Sequence, residues 1–236
     1  MDSFRILVAD DHPVFRFGLC SLLRSHESWE VCGEATDGRD AVEKYRELRP
    51  DLVIFDVAMT QLNGVDAARQ ILKHNSEQRV LVLTSVESEH VIRDCVAAGV
   101  RGWIFKSEGT KDLVCAVEAM QQHRSTFSAR VSTLILDGYL QRSGIRSPAP
   151  KTPSLTPRER EVVQLLGEGR VSKEVAVMLN ISVKTTETHR SNIMRKLKLH
   201  SVAELVLYAV KNEIVHVHIP AQRFPHPGDG QVNMAS

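Results

Sequence analysis

Over its first 123 residues the chain switches five times from a short β-rich run to a stretch with helical spacing, and few folds can absorb that pattern. The runs lie at 4–9 (FRILVA), 29–35 (WEVCGEA), 52–57 (LVIFDV), 80–84 (VLVLT) and 102–105 (GWIF). Behind the first come Val14, Gly18, Leu19, Leu22 and Leu23, with Pro13 suited to a first helical position. Behind the others come Ala41, Val42, Tyr45 and Leu48; Val65, Ala68, Ile71 and Leu72; Val91, Ile92, Cys95 and Val96; and Leu113, Val114, Ala116, Val117 and Met120. Five βα units in series predict a parallel sheet with helices on both faces. Strands as continuously apolar as LVIF and VLVL fit burial on both sides.

Beyond this the pattern changes. Residues 143–154 (SGIRSPAPKTPS) hold three prolines and no apolar periodicity, which predicts an extended linker. Four helical segments follow at 157–167, 172–179, 183–197 and 201–212. The expected division is an α/β domain over 1–124, a connecting helix and Pro-rich linker over 125–154, a small all-α four-helix domain over 155–215, and a disordered tail over 216–236. The three histidines of that tail show no ligand spacing. Charge is split between the halves: residues 1–142 carry 17 Lys/Arg against 21 Asp/Glu, residues 143–236 carry 13 against 8, so the second half is the one suited to a polyanion. Cys20, Cys32, Cys95 and Cys115 lack CxxC spacing and sit among apolar neighbours, which favours reduced core residues over a metal or disulfide framework. The start, MDSFRILVADD, is acidic where a secretion signal is basic, and no apolar run approaches the roughly 18 residues of a membrane span. A cytoplasmic protein without membrane contact is expected.

In an open α/β sheet, ligands bind beyond the carboxyl ends of the strands. Asp10 and Asp11 follow the first run, Asp56 and Thr84 end the third and fourth, and Lys106 follows the fifth. Three carboxylates, a hydroxyl and an ammonium thus meet at one edge. An Asp after a strand is often only a helix N-cap, but that does not explain all five positions together. The carboxylates repel one another, and a hard divalent cation with oxygen ligands relieves that repulsion, Mg²⁺ being the intracellular candidate. Such a cation, with a lysine opposite, also neutralises a phosphoryl group. The cluster is suited to placing a phosphoryl group on one of its own carboxylates.

The segments ILVADDHPVFRFGL, DLVIFDVAM, LVLTS and GWIFKS make residues 4–123 resemble a response-regulator receiver domain. The resemblance implies a five-stranded doubly wound sheet of flavodoxin-like order 2-1-3-4-5. It also implies Asp56 as phosphoacceptor, and Mg²⁺ held by Asp11, Asp56 and the backbone carbonyl of Ala58, with Asp10 acting through water. Thr84 would hydrogen-bond the phosphoryl oxygens, Lys106 would pair with them, and Trp103 would be the switch aromatic that fills the space Thr84 vacates. Thr60 stands where the family commonly has Pro. Ala58 and Val86, two residues after the acceptor and after the switch threonine, carry no group that can orient a hydrolytic water.

In the second half, 172–179 and 183–197 form two short helices at a tight turn, with Ser182 able to cap the second. Val175, Ala176, Leu179, Val183, Thr186, Ile193 and Leu197 are the expected core. Five Lys/Arg against one Glu between 182 and 200 give the second helix a positive, polar outer face suited to the major groove. The segment LTPREREVVQLLGEGRVSKEVAVMLNISVKTTETHRSNIMRKLKLHSVAELVLYA resembles the LuxR-type helix-turn-helix. By that resemblance Glu187, Thr188 and Ser191 face bases, with Thr185 on the same outward face. Lys173, Lys184, Arg190, Arg195 and Lys196 contact phosphates, and His189 is structural. Val202, Leu205, Val206 and Ala209 would form a dimer seam or pack on the domain core. Val171 and Lys198 replace a polar residue and a glycine common in the family.

Together these imply a transcriptional response regulator of the NarL/FixJ type. A sensor histidine kinase would phosphorylate Asp56, and the change would control binding to double-stranded DNA as a homodimer. No enzyme activity is expected beyond phosphotransfer to, and hydrolysis from, its own Asp56. Unphosphorylated relatives of this type often cover their own recognition helix. Two rivals remain. A metal-dependent phosphatase also uses aspartates with Mg²⁺, but Ala58 stands where its acid/base Asp would be. A ligand-sensing regulator would share only the second domain, and the acid cluster argues against it.

Overall fold

The computed structural model describes residues 3–128, 131–133, 136 and 155–215. The Pro-rich linker and the tail from 216 on, with its three histidines, lie outside the described residues.

The first domain runs β1 (Phe4–Ala9), α1 (Pro13–Arg24), β2 (Trp29–Ala35), α2 (Gly38–Leu48), β3 (Leu52–Phe55), α3 (Gly64–His74), β4 (Arg79–Thr84), α4 (Glu89–Ala98), β5 (Gly102–Phe105) and α5 (Thr110–Gln121). A sixth strand, β6 (Thr126–Phe127), pairs with β5 in parallel, Phe127 opposite Trp103. The sheet is therefore six parallel strands in the order β2-β1-β3-β4-β5-β6, which corrects the five-stranded expectation. Two residues cannot display a period of two, so nothing in the hydrophobic pattern marks β6.

Side chains alternate between the faces. Leu7, Val53, Phe55 and Val82 point to the side covered by α2, α3 and α4. Ile6, Val8, Ile54 and Leu81 point to the side covered by α1 and α5. All four residues of β3 are at most 1% exposed. Fully burying each such side chain contributes roughly 1.5–3 kcal/mol before entropy is counted. Among the cysteines Cys20 and Cys95 are buried and Cys115 is exposed, so the fourth does not belong to the core.

The second domain comprises α6 (Pro157–Gly167), α7 (Ser172–Met178), α8 (Val183–Leu197) and α9 (Val202–Lys211). Val162, Leu165, Val175, Ile193, Leu205 and Ala209 form its core, each fully buried. Thr156 and Glu159 make a reciprocal box at the start of α6, the Glu159 amide donating to Thr156 Oγ1 (3.2 Å) and the Thr156 amide to Glu159 Oε2 (2.7 Å). Ser182 and Ser201 cap α8 and α9. Lys198 ends α8 in the left-handed region at φ 55°, which explains the glycine common there. Val183 is 44% exposed: at the first turn of α8 it points away from the core expected for it.

The domains meet through α6. Arg160 reaches Asp66 (3.3 Å) on α3 and Asp94 (3.4 Å) on α4, where Arg69 also binds both carboxylates (2.7 and 2.9 Å). Burial alone would lower the Arg69 pKa, but the two carboxylates outweigh it and raise it. Glu161 meets Arg39 (3.4 Å) and Gln70 (3.2 Å). These contacts are ion pairs and hydrogen bonds.

Candidate functional site

The carboxyl edge of the sheet is where the strands release their polar residues. Asp10 and Asp56 continue β1 and β3, tied by bonds from their amides to the Ala35 and Ala9 carbonyls (3.1 and 2.9 Å). They are 2% and 3% exposed. Lys106, just past β5, donates from Nζ to Oδ2 of Asp10 and of Asp56, each at 2.7 Å. Its Nζ also lies 4.4 Å from the centre of the Phe15 ring. The Lys106 amide donates to the Thr84 carbonyl at 2.9 Å, which fixes where the side chain leaves the backbone.

Asp11 completes the cluster together with a residue the sequence reading missed. His12 Nδ1 lies 2.9 Å from Asp11, 3.3 Å from Asp10 and 3.8 Å from Asp56. One ligand atom from each of these four residues falls within 4.8 Å of all the others. Nothing but its place beside two aspartates marks His12 in the sequence. Arg16, one turn into α1, donates to the Asp10 carbonyl at 2.6 Å and was equally unmarked.

Beyond β3 the chain turns through Ala58–Asn63. The Ala58 amide donates to Asp56 Oδ1 (3.3 Å), and the Gly64 amide to the Val57 carbonyl (3.0 Å). A Cβ at Gly64 would collide with the Asp56 carbonyl, so only glycine lets α3 start this close to the end of β3. Asn63 caps α3, accepting from the Asp66 amide at 2.9 Å.

Thr84 is fully buried, and its Oγ1 accepts from the Val86 amide at 3.2 Å. Trp103 is 1% exposed and meets Phe105 edge-on at 6.1 Å, within a cluster that includes Val131 and Phe127. Its indole N–H has no acceptor among the described residues. Lys106 thus pairs with Asp10 and Asp56, Asp11 lies beside those two carboxylates, and Thr84 and Trp103 are in the adjoining core. Ala58 borders the same cavity as Asp11, one of about 380 Å³.

On the second domain, Lys173, Lys184, Thr185, Glu187, Thr188, Ser191 and Arg195 are exposed, and Arg190, His189 and Lys196 half-buried. Lys196 donates to Glu159 at 2.7 Å, an ion pair within the domain that competes with its expected phosphate contact. The expected dimer seam is split. Leu205 and Ala209 are fully buried in the domain's own core and cannot reach a partner, whereas Val202 is exposed and Val206 half-buried. Among the described residues the outer face of α8 is exposed, and the receiver contact described above is made by α6.

Residues 6–118 match the response regulator receiver domain, and residues 153–209 the bacterial regulatory proteins of the luxR family. Response regulator protein VraR of Staphylococcus aureus is 32% identical over 213 residues, covering 90% of this chain and 99% of that protein. This chain is a two-component response regulator of the LuxR family. Among solved structures, the regulator is similar to RcsB of Salmonella typhimurium (25% identity, TM-score 0.60, covering 90% of this chain and 99% of that one). It is also similar to RcsB bound to promoter rprA in the presence of phosphomimetic BeF3⁻ (26%, TM-score 0.56, 88% and 98%). Its second domain is a DNA-binding, LuxR-type helix-turn-helix. No described helix is long and apolar enough to cross a membrane.

Proposed function

We propose that a sensor histidine kinase switches this regulator by phosphorylating Asp56, and that the modified protein binds double-stranded DNA as a homodimer in the cytoplasm. The observation that carries the reading is Lys106, whose ammonium bridges Asp10 and Asp56 at 2.7 Å in a nearly buried cluster. Three carboxylates against one ammonium leave two negative charges, which a divalent cation balances. The oxygen-rich donor set fits Mg²⁺. Asp11, Asp56 and the Ala58 carbonyl would hold it, with Asp10 acting through water. When bound, it neutralises charge on the phosphoryl oxygens. The Asp56 carboxylate attacks phosphorus as the phosphohistidine P–N bond breaks, and Lys106 steadies the oxygens that remain. Thr84 gives up the Val86 amide to bond one of those oxygens, and Trp103 moves into the space it leaves. No turnover of external phosphoesters accompanies this.

On DNA, α8 enters the major groove. Glu187, Thr188 and Ser191 face bases, with Thr185 beside them, while Lys173, Lys184, Arg190 and Arg195 neutralise phosphates. Val202 and Val206, with the exposed Leu207 and Val210, supply an apolar surface on α9 for a second copy. RcsB dimers bound to DNA support the paired arrangement. The test is DNA affinity by fluorescence anisotropy, before and after treatment with phosphoramidate and Mg²⁺. The wild-type chain should gain affinity and Asp56→Asn should not; equal affinity in both forms of the wild type defeats the proposal.

A further inference from the structure

The proposed phosphotransfer gives His12 no part, although its imidazole stands among the three carboxylates of the acid cluster. Its Nδ1 faces Oδ1 of Asp11 (2.9 Å), Oδ1 of Asp10 (3.3 Å) and Oδ2 of Asp56 (3.8 Å). A ring nitrogen offers one proton or one lone pair, enough for one strong hydrogen bond and not for three. A cation shared by the four groups uses all of them at once. Donors about 2.1 Å from one first-row dication stand about 3.0 Å apart in octahedral geometry and about 3.4 Å apart in tetrahedral geometry. The observed separations bracket those values, and the four ligand atoms all lie within 4.8 Å of one another. The backbone fixes where the ring points. His12 precedes Pro13 at the start of α1 in an extended conformation (φ −90°, ψ 105°), and its amide donates to Asp10 Oδ1 at 2.8 Å. The Lys106 ammonium holds Oδ2 of Asp10 and of Asp56, while the imidazole faces Oδ1 of Asp10 and of Asp11. The His12 side chain is 39% exposed, which gives a hydrated ion a way in.

We propose that His12 is a metal ligand alongside Asp10, Asp11 and Asp56, and that the pocket takes a borderline first-row transition dication such as Co²⁺, Ni²⁺ or Zn²⁺ in competition with Mg²⁺. The inference deepens the cation reading of the same site and rests on it. Mg²⁺ prefers oxygen donors, keeps several of its waters and gains little from an imidazole. A set of one nitrogen and several carboxylate oxygens favours the transition ions instead, with affinity rising from Mn²⁺ through Co²⁺ to Ni²⁺. His12 therefore acts on which cation the pocket keeps, rather than on how tightly it holds Mg²⁺. Because both kinds of ion call on the same carboxylates, each lowers the apparent affinity for the other.

The test is isothermal titration calorimetry on the full chain, with Co²⁺ and Mg²⁺ in separate titrations. His12→Phe keeps a ring at the position and removes the donor. Wild type should bind Co²⁺ at least tenfold more tightly than Mg²⁺. The variant should lose about a hundredfold in Co²⁺ affinity, while its Mg²⁺ affinity changes by less than about threefold. Retained Mg²⁺ binding also shows that the variant folds. Mg²⁺ at about ten times its own dissociation constant should weaken Co²⁺ binding about tenfold, which separates this pocket from the chain's other histidines. With Mn²⁺ as a paramagnetic probe, pulsed EPR should show a nitrogen coupling in wild type that His12→Phe removes. Co²⁺ affinity unchanged in the variant, Co²⁺ binding indifferent to Mg²⁺, or no nitrogen coupling in wild type overturns the inference and leaves Mg²⁺ at the acid cluster intact. Failure of Mg²⁺ to bind wild type sinks the cation reading itself, and this inference with it.

Discussion

Ala58 and Val86 occupy the positions two residues beyond Asp56 and Thr84. Neither side chain can accept or donate a hydrogen bond, so neither can align a water for attack on phosphorus. The aspartyl phosphate should therefore survive for minutes or longer at neutral pH, and Ala58→Asn should shorten it. Decay of the wild-type species within seconds, followed by loss of label from purified protein, would contradict this. Asp56, Lys106 and the neighbouring acids are legible in the sequence because each follows the end of a strand, and strand ends in a parallel sheet converge. His12 carries no such signal. Its imidazole joins the cluster only because the turn after β1 folds it back, the His12 amide donating to Asp10 Oδ1 at 2.8 Å.

At the level of elements, α6 begins with a reciprocal cap that also links two helices. Burial pushes the Glu159 carboxyl up, but bonds from Lys196 on α8 and from Thr156 outweigh this and hold it below its usual 4.5. An acid with a depressed folded value stabilises fully above its unfolded value, and loses that contribution as pH falls through the folded one. Melting of the full chain between pH 6 and pH 3 should therefore show a drop beginning below about 4.5 that Glu159→Gln removes. Thr156→Ala should cost about 1 kcal/mol at neutral pH. On α8, Lys184→Ala and Arg195→Ala should each weaken DNA binding for every sequence and reduce the slope of log K against log salt by about 1, whereas Glu187→Ala should change which sequence is preferred. The helices could be read from periodicity because each buries one stripe. The same logic fails at Val183, where the stripe runs past the end of the core, and at β6, whose two residues are held by the edge of β5 rather than by a pattern of their own.

For the whole molecule, the domain contact is the feature the sequence conceals. Arg160, Glu161, Gln164 and Glu168 recur at helical spacing along α6, which reads as an ordinary solvated face, since polarity alone does not tell water from another domain. The contact includes charges on partly exposed side chains such as Arg39 and Arg160, so it should weaken as the screening length falls from about 10 Å at 0.1 M salt to about 3 Å at 1 M. Small-angle scattering should record a larger radius of gyration in high salt, and Arg160→Ala should show the larger value already in low salt; an unchanged radius in both cases contradicts a charge-held interface. Because α6 makes the contact, the outer face of α8, proposed above to read DNA, is left exposed among the described residues while the domains are docked. Such a molecule can hop and slide along nonspecific DNA before any stimulus arrives. Under the proposed phosphorylation of Asp56 it would begin close to its targets, and the time to respond would be set by pairing and retention rather than by a search from bulk solution.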